Sequence, residues 1–418
     1  MNVMRMKKSY LLLLALLAVA CTEKIIDESP IKTGDVGFNK VYYTNPVIRN
    51  NCADPDVFDD RERTGYYYAY STQNGTPFIP VYRSTDLINW TLMGDAFNGD
   101  QPDWQGEGAR CWAPNVRYIN GKYVMYFALG NFVDASYSGT GVAYSTSPTG
   151  PFLWRDLPNH GYLIGTKNTG LSNMIDPAYI QDVNTGTPYL FVGSFGSQCL
   201  WAMELAPDGL SFVKDCSVEA NRTKYAKGIE GTYVHYHDGY YYIFGSAGSC
   251  CSGRESTYHI VVARSKNLLG PYVMKDGTLL TEYNTWTPDA NTILQNPEAE
   301  PGMYPFFAGV GHNASIVQDD AGQDWMCYHA FWKDNNYNGR CMNLDQVFWQ
   351  NGWPAFRTGF PSQTKLRGPK MKLMTKSFLY PENNDGAGPL IETGDSCSCR
   401  PMWHIQEKRY TFSYSSEE

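Results

Sequence analysis

Five phrases of similar build constrain this 418-residue chain more than any other feature in it. They are Ala53-Asp54-Pro55-Asp56-Val57, Trp112-Ala113-Pro114-Asn115-Val116, Ile175-Asp176-Pro177-Ala178-Tyr179, Ile229-Glu230-Gly231-Thr232-Tyr233 and Gly311-His312-Asn313-Ala314-Ser315. After each comes a short turn, usually bearing Gly, and then an aromatic strand: GYYYAYS from Gly65, GKYVMYF from Gly121, TPYLFVGS from Thr187, GYYYIFGS from Gly239 and DWMCYHA from Asp324. The matching positions Asp54, Ala113, Asp176, Glu230 and His312 lie 59, 63, 54 and 82 residues apart. That is the spacing expected of blades in a β-propeller. The innermost strand of every blade starts at the same rim of the axis, so five distant positions converge on one pocket holding three carboxylates and a histidine. Crowded carboxylates repel and lose solvation, which is costly unless they do chemistry or bind a cation. The chain reads as an enzyme.

Composition narrows its substrate and address. Aromatics make up 15% of the chain, with 31 Tyr and 11 Trp, which suits stacked strands and sugar-facing surfaces. The formal net charge is -8, and -11 without residues 1–20. Such a surface argues against nucleic acid and anionic membranes as partners and suits a neutral substrate. At the N-terminus, Arg5, Lys7 and Lys8 precede an apolar run from Leu11 to Ala20 that is too short to span a bilayer comfortably. Small residues then lead into Cys21, an arrangement that resembles the processing site of a bacterial lipoprotein. The expectation is a signal peptide over 1–20, a lipidated Cys21 anchoring the chain to the membrane, and a tether over 21–44. An exported outer-membrane lipoprotein, monomeric, follows from that reading. Eleven cysteines fit an exported chain. Their pairing is not readable, although Cys250 and Cys251 are adjacent.

No stretch of helical length after residue 20 sustains helical periodicity. Tight-turn dipeptides recur at Asn120-Gly121, Asp208-Gly209, Asp238-Gly239 and Asn351-Gly352. The predicted fold is all-β, a five-bladed β-propeller over 45–369. The longest interval, between the fourth and fifth blades, contains TPDANTILQNPEAEPGMYPFF and reads as a rim loop, either functional or merely solvated. The tail 370–418 fits a partial extra strand pair, a remnant of an accessory domain, or disorder.

Hydrolysis of a glycosidic bond needs a carboxylic acid to protonate the departing oxygen and a carboxylate to attack or to activate water. A third acid can tune the first. Ala-Asp54-Pro-Asp, Ile-Asp176-Pro and Glu230-Gly, each in its own blade, resemble the motifs of glycoside hydrolase family 43. The resemblance implies Asp54 as general base, Asp176 as the residue that tunes the acid, Glu230 as general acid, and inversion at the anomeric carbon. CWAPN from Cys111, GSF from Gly193, CCSGREST leading to Tyr258, and GHNAS from Gly311 are similar to the arabinan-cleaving branch. That branch implies a calcium ion held near His312, largely through water; a satisfied core histidine is the competing reading. Trp112, Ser194, Phe195, Tyr258 and Arg340 are the expected contacts to a plant cell-wall polysaccharide or oligosaccharide, because a furanose suits an aromatic shelf with a few polar anchors. An endo-1,5-α-L-arabinanase is the leading expectation. An exo-acting α-L-arabinofuranosidase, a β-xylosidase and a non-catalytic glycan-binding propeller are the alternatives.

Overall fold

Tyr67 and Tyr68 are neighbours in one strand but belong to different cores. Successive side chains of a strand point to opposite faces, and in Tyr66–Tyr70 both faces are covered: Tyr67 and Ala69 enter one cluster, Tyr68 and Tyr70 another. In Lys122–Gly130 the division recurs, with Tyr123, Met125, Phe127 and Leu129 on one side and Val124 and Tyr126 on the other. A strand buried on both faces shows an unbroken apolar run rather than alternation, which is why these strands stand out in the sequence.

The computed structural model describes residues 37–372 except 74, 105, 107, 131–137, 196–198, 226 and 227, together with the backbone of 377–378, 402–406 and 409–413. The expected signal peptide, Cys21 and most of the tether lie outside the described residues. Five antiparallel sheets make five blades. Blade I contains Asp56–Asp60, Tyr66–Tyr70, Pro80–Ser84 and Thr91–Asp95; blade II contains Arg110–Ile119, Lys122–Gly130, Ser138–Ser145 and Tyr162–Gly165. Blade III is Ala178–Gln181, Pro188–Val192, Trp201–Glu204 and Thr223–Lys224. Blade IV runs through Glu230–His237, Tyr240–Ala247, His259–Ser265 and Val273–Met274. In blade V the inner edge is broken, since Phe307–Gly311 and Ile316–Gln318 both pair with Asp324–Trp332, followed by Arg340–Gln350 and Trp353–Ala355. Among the described residues the only α-helices are two of four residues, Arg61–Thr64 and Thr166–Thr169. The all-β, five-bladed expectation holds.

Five apolar clusters fill the spaces between blades, one at each interface: I with II, II with III, III with IV, IV with V, and V with I. The ring therefore closes through packing as continuous as that between any other pair of blades. Backbone bonds reinforce the closure, with Val47 and Cys52 N–H donating to the carbonyls of Met342 (2.8 Å) and Arg340 (2.9 Å). Further out, Tyr42–Tyr43 pairs with Leu366–Arg367, so the chain joins the body ahead of residue 45. Part of the interval between blades IV and V is itself a strand, Thr292–Leu294, laid against His259–Ser265. Within the tail, 377–378, 402–406 and 409–413 form a three-stranded sheet. Cys250 and Cys251 are bonded to one another, while Cys52, Cys111, Cys216, Cys327 and Cys341 are buried thiols.

Candidate active site

At the top of each inner strand one residue takes positive φ: Asp54 (50°), Ala113 (43°), Asp176 (58°), Gly231 (56°) and His312 (45°). Asp and His tolerate this region better than most residues, and Gly does so without strain. Four of the five are the matching positions of the sequence repeat. In blade IV the position belongs to Gly231, so Glu230 stands one residue ahead of the register in which the repeat aligned it. Gly231 also meets a second demand. A Cβ there would stand 3.0 Å from His312 Cγ, and its N–H donates to Asp176 Oδ2 at 3.0 Å.

These turns gather one polar network. Asp54 accepts Arg340 Nη1 at 2.7 Å, His312 Nδ1 at 3.2 Å and Thr72 Oγ1 at 2.6 Å. Thr72 in turn accepts the Ala113 N–H at 2.9 Å, which ties blade I to blade II. Asp176 lies 4.0 Å from His312 Nδ1. Glu230 accepts Ser194 Oγ at 2.5 Å and Tyr258 OH at 3.0 Å. Ser246 Oγ accepts the His312 N–H at 2.9 Å and so fixes the histidine backbone. His329 Nδ1 accepts the Asp54 N–H at 3.1 Å. Burial, followed by the charge of Arg340, lowers the His329 pKa to about 4. The ring is therefore neutral, and its Nδ1 has no proton to offer the Asp54 carboxylate.

The surroundings divide the carboxyls. Burial pushes Glu230 up to about 7, the Asp176 charge adding to it, against the hydrogen bonds from Ser194 and Tyr258. Burial acts on Asp54 in the same direction but is outweighed by Arg340 and His312, which hold its carboxyl well below the usual range. Asp176 is raised, first by burial, with His312 opposing and Asp54 adding. His312 would be lowered by burial, but Asp54 and Asp176 outweigh that and raise it above the ordinary imidazole range. Up to neutral pH the rim thus holds an acid, Glu230, that still keeps much of its proton beside an ionised carboxylate, Asp54. Such divergence separates the two roles in acid–base catalysis.

Of the nine residues singled out from the sequence, the structure brings seven into this network: Asp54, Asp176, Glu230, His312, Ser194, Tyr258 and Arg340. Ser194 and Tyr258 donate their hydroxyls to Glu230, and Arg340 donates to Asp54, so each holds a carboxyl in addition to the sugar contact expected of it. Trp112 and Phe195 stay outside the network. Trp112, next to Ala113, covers Gly130 so closely that a Cβ there would stand 2.2 Å from its ring; Phe195 lies against Trp286. Sequence reasoning missed Thr72, Ser246 and His329. A signal for them existed, because second strands of antiparallel blades end at the rim where inner strands begin. The polar residue closing each aromatic strand therefore falls beside the site.

The chemistry of the donors bears on calcium. Among the described residues no group of three or more His, Cys, Asp and Glu is arranged to hold a metal ion. Thr232 Oγ1 and Asn313 Oδ1, next in the chain after Gly231 and His312, are buried oxygens without a hydrogen-bond partner among the described residues. One imidazole and two neutral oxygens are a donor set suited to a cation ligated mainly by water and not to an all-protein cage.

Comparison with known proteins points one way. The model of the family "Glycosyl hydrolases family 43" matches residues 43–354. The extracellular endo-alpha-(1->5)-L-arabinanase 1 of Bacillus subtilis (strain 168) is 30% identical over 287 residues, covering 66% of this chain and 80% of that protein. The extracellular exo-alpha-(1->5)-L-arabinofuranosidase ArbA of Cellvibrio japonicus (strain Ueda107) is 28% identical over 311 residues, 69% of this chain and 82% of its own. Among solved structures, the Cellvibrio cellulosa alpha-L-arabinanase complexed with arabinohexaose superposes with a TM-score of 0.59 at 26% identity, covering 74% of this chain and 96% of that one.

Proposed function

The chain belongs to glycosyl hydrolases family 43, and on that premise we propose that it cleaves α-L-arabinofuranosidic linkages of arabinan-type polysaccharide, as an inverting endo-1,5-α-L-arabinanase. Glu230 protonates the departing oxygen. Asp54 accepts a proton from the attacking water, and Asp176 keeps Glu230 protonated by the charge it places nearby. The observation that carries this reading is that one rim holds Asp54 against Arg340 and His312, and Glu230 buried with only hydroxyls as partners, which drives the two carboxyls in opposite directions. Asp54 is a weak base for being so firmly ionised, but it never needs to lose a proton before taking one. An inverting site must seat water between base and sugar, which sets its working carboxyls roughly 6.5–9.5 Å apart. Three interactions on Asp54 hold it against movement toward the anomeric carbon. The Bacillus and Cellvibrio relatives support arabinan as substrate. The exo-acting relative keeps exo cleavage as the second reading, and the products of linear arabinan separate the two.

The experiment that tests the mechanism follows the first product of linear arabinan by proton NMR. The inverted anomer is the expected outcome, and a retained first product overturns the roles of Asp54 and Glu230. Calcium and export complete the reading. His312 as neutral imidazole, with Thr232 and Asn313, would hold a hydrated cation, which would take over from the imidazolium in offsetting the negative charge of the axial carboxylates. Cys21 would anchor the chain after export, in keeping with the extracellular relatives.

A further inference from the structure

Two aromatic rings outside the catalytic network stand beside its acid. Phe195 directly follows Ser194, whose hydroxyl holds Glu230. Its ring lies against Trp286 with centroids 4.7 Å apart and planes inclined by 32°. Trp286 comes from the segment between Val273–Met274 and Thr292–Leu294, and that segment is firmly seated. Leu280 and Tyr283, 1% and 3% exposed, enter the core between blades III and IV. Beyond them Asn284 rests on Gly228, where an added Cβ would stand 3.0 Å from Asn284 Cα. Gly228 is two residues from Glu230, so the absence of a side chain there lets the segment lie directly against the approach to the strand that carries the acid.

Trp286 itself is 51% exposed. An indole is among the most favourable side chains to bury, and this one is anchored from both sides yet keeps a face in solvent. The side of the bond it serves follows from the chemistry. The general acid protonates the departing oxygen, so groups that crowd the acid line the path of the leaving sugar, while the base works from the opposite face of the ring under attack. We propose that Trp286, backed by Phe195, is a stacking platform for the arabinofuranose ring on the leaving-group side of the scissile bond. The proposal rests on the arabinan-cleaving reading and adds a binding residue to it. Such a platform makes the enzyme read the chain beyond the bond it cuts, because apolar C–H faces of a furanose pack on an indole while its hydroxyls stay in water.

The test compares kcat/KM for arabinohexaose with that for α-L-arabinofuranosyl fluoride, whose leaving group carries no ring. It uses the full chain and the variants Trp286→Ala and Trp286→Phe. The expected result is a loss of about tenfold on arabinohexaose for Trp286→Ala, carried mainly by KM, with little of it shared by the fluoride and most of it restored by Trp286→Phe. Equal losses on both substrates would overturn the proposal, because a platform for the leaving sugar cannot act on a leaving group without a ring. A loss carried by kcat with a displaced upper limb of the pH profile would overturn it too, because Trp286 would then only support Glu230. Unchanged arabinohexaose kinetics would overturn it as well. A wild-type enzyme that leaves arabinohexaose intact would instead overturn the functional reading on which the proposal stands.

Discussion

Glu230 meets two opposing demands: it must be buried enough to stay protonated and held firmly enough to aim its proton. Ser194 and Tyr258 satisfy the second with one hydroxyl for each oxygen, and desolvation beside Asp176 satisfies the first. Activity is expected to fall as pH rises through about 7, where Glu230 loses its proton, and the check is a kcat/KM profile on linear arabinan. Replacing the acid separates its roles. Glu230→Gln should lose most activity on arabinan and recover partly on aryl arabinofuranosides, whose leaving groups need little protonation. The same variant makes a prediction about stability. Between the ordinary carboxyl range and about pH 7, native Glu230 keeps a proton that the unfolded chain has lost, so the wild type loses stability as pH rises through that window. Glu230→Gln never ionises. It should therefore match the wild type near pH 4 and exceed it by roughly 3 kcal/mol at pH 8, read from denaturant melts at both pH values.

The positive-φ turn at the head of each inner strand is what aims the axial side chains, and blades use it unequally. Blade II spends it on Ala113, which brings no charge to the rim. Blade IV gives it to Gly231, which frees Glu230 to occupy the preceding position. The pairing irregularity between Glu230 and Tyr233 recurs in blade II between Trp112 and Asn115, so it marks the turn itself rather than the residue that occupies it. Gly231→Ala should be damaging for two independent reasons: an L side chain in this conformation costs about 1–2 kcal/mol, and its methyl would press on His312 Cγ. The expected outcome is a melt lowered by several degrees together with at least a roughly tenfold loss of kcat, because His312 and the Gly231–Asp176 bond move together. A variant with normal kcat would show that the turn is only a connector.

Around the whole ring, five interblade cores let each blade contribute one strand head to a common axis, and that geometry concentrates negative charge. Arg340 and His312 offset part of it within the chain. A hydrated cation beside His312 is proposed to take over the share of the imidazolium. Chelation is then expected to lower both activity and melting temperature, with calcium restoring them, and metal analysis of protein prepared without chelators should find the ion. Unchanged melting and activity after chelation would leave His312 as a partner of Asp54 and Asp176 alone. The proposed membrane tether is tested on the same full-length chain. Mass spectrometry of the membrane fraction should find a diacylglyceryl adduct on Cys21, and Cys21→Ser should release the protein into solution. Wild type recovered as soluble protein would sink the anchor.

The propeller and two of its three carboxyls were legible from local pattern, for physical reasons. Strands covered on both faces, such as GYYYAYS and GYYYIFGS, must be apolar throughout, so they announce themselves at blade spacing. Asp54 and Asp176 sit at a recurring turn whose Asp-Pro pair repeats with it. Glu230 was found by its motif but placed one residue out of register, because Gly231 satisfies the same turn with a different residue type. Thr72, Ser246 and His329 were marked only by their place at or near the end of an aromatic strand, a weaker signal than the strand itself. The partners of Ser194, Tyr258 and Arg340 could not be read at all. Each of those contacts joins residues at least 28 positions apart, and whether a hydroxyl or guanidinium meets a carboxyl or a sugar depends on where closed blades bring it. Trp286 belongs to a segment outside the repeat, so no periodicity marked it. Local sequence carries the strands and turns, since their causes lie within a few residues. Which side chains meet, and therefore which carboxyl keeps its proton, was decided only when the ring closed and excluded water.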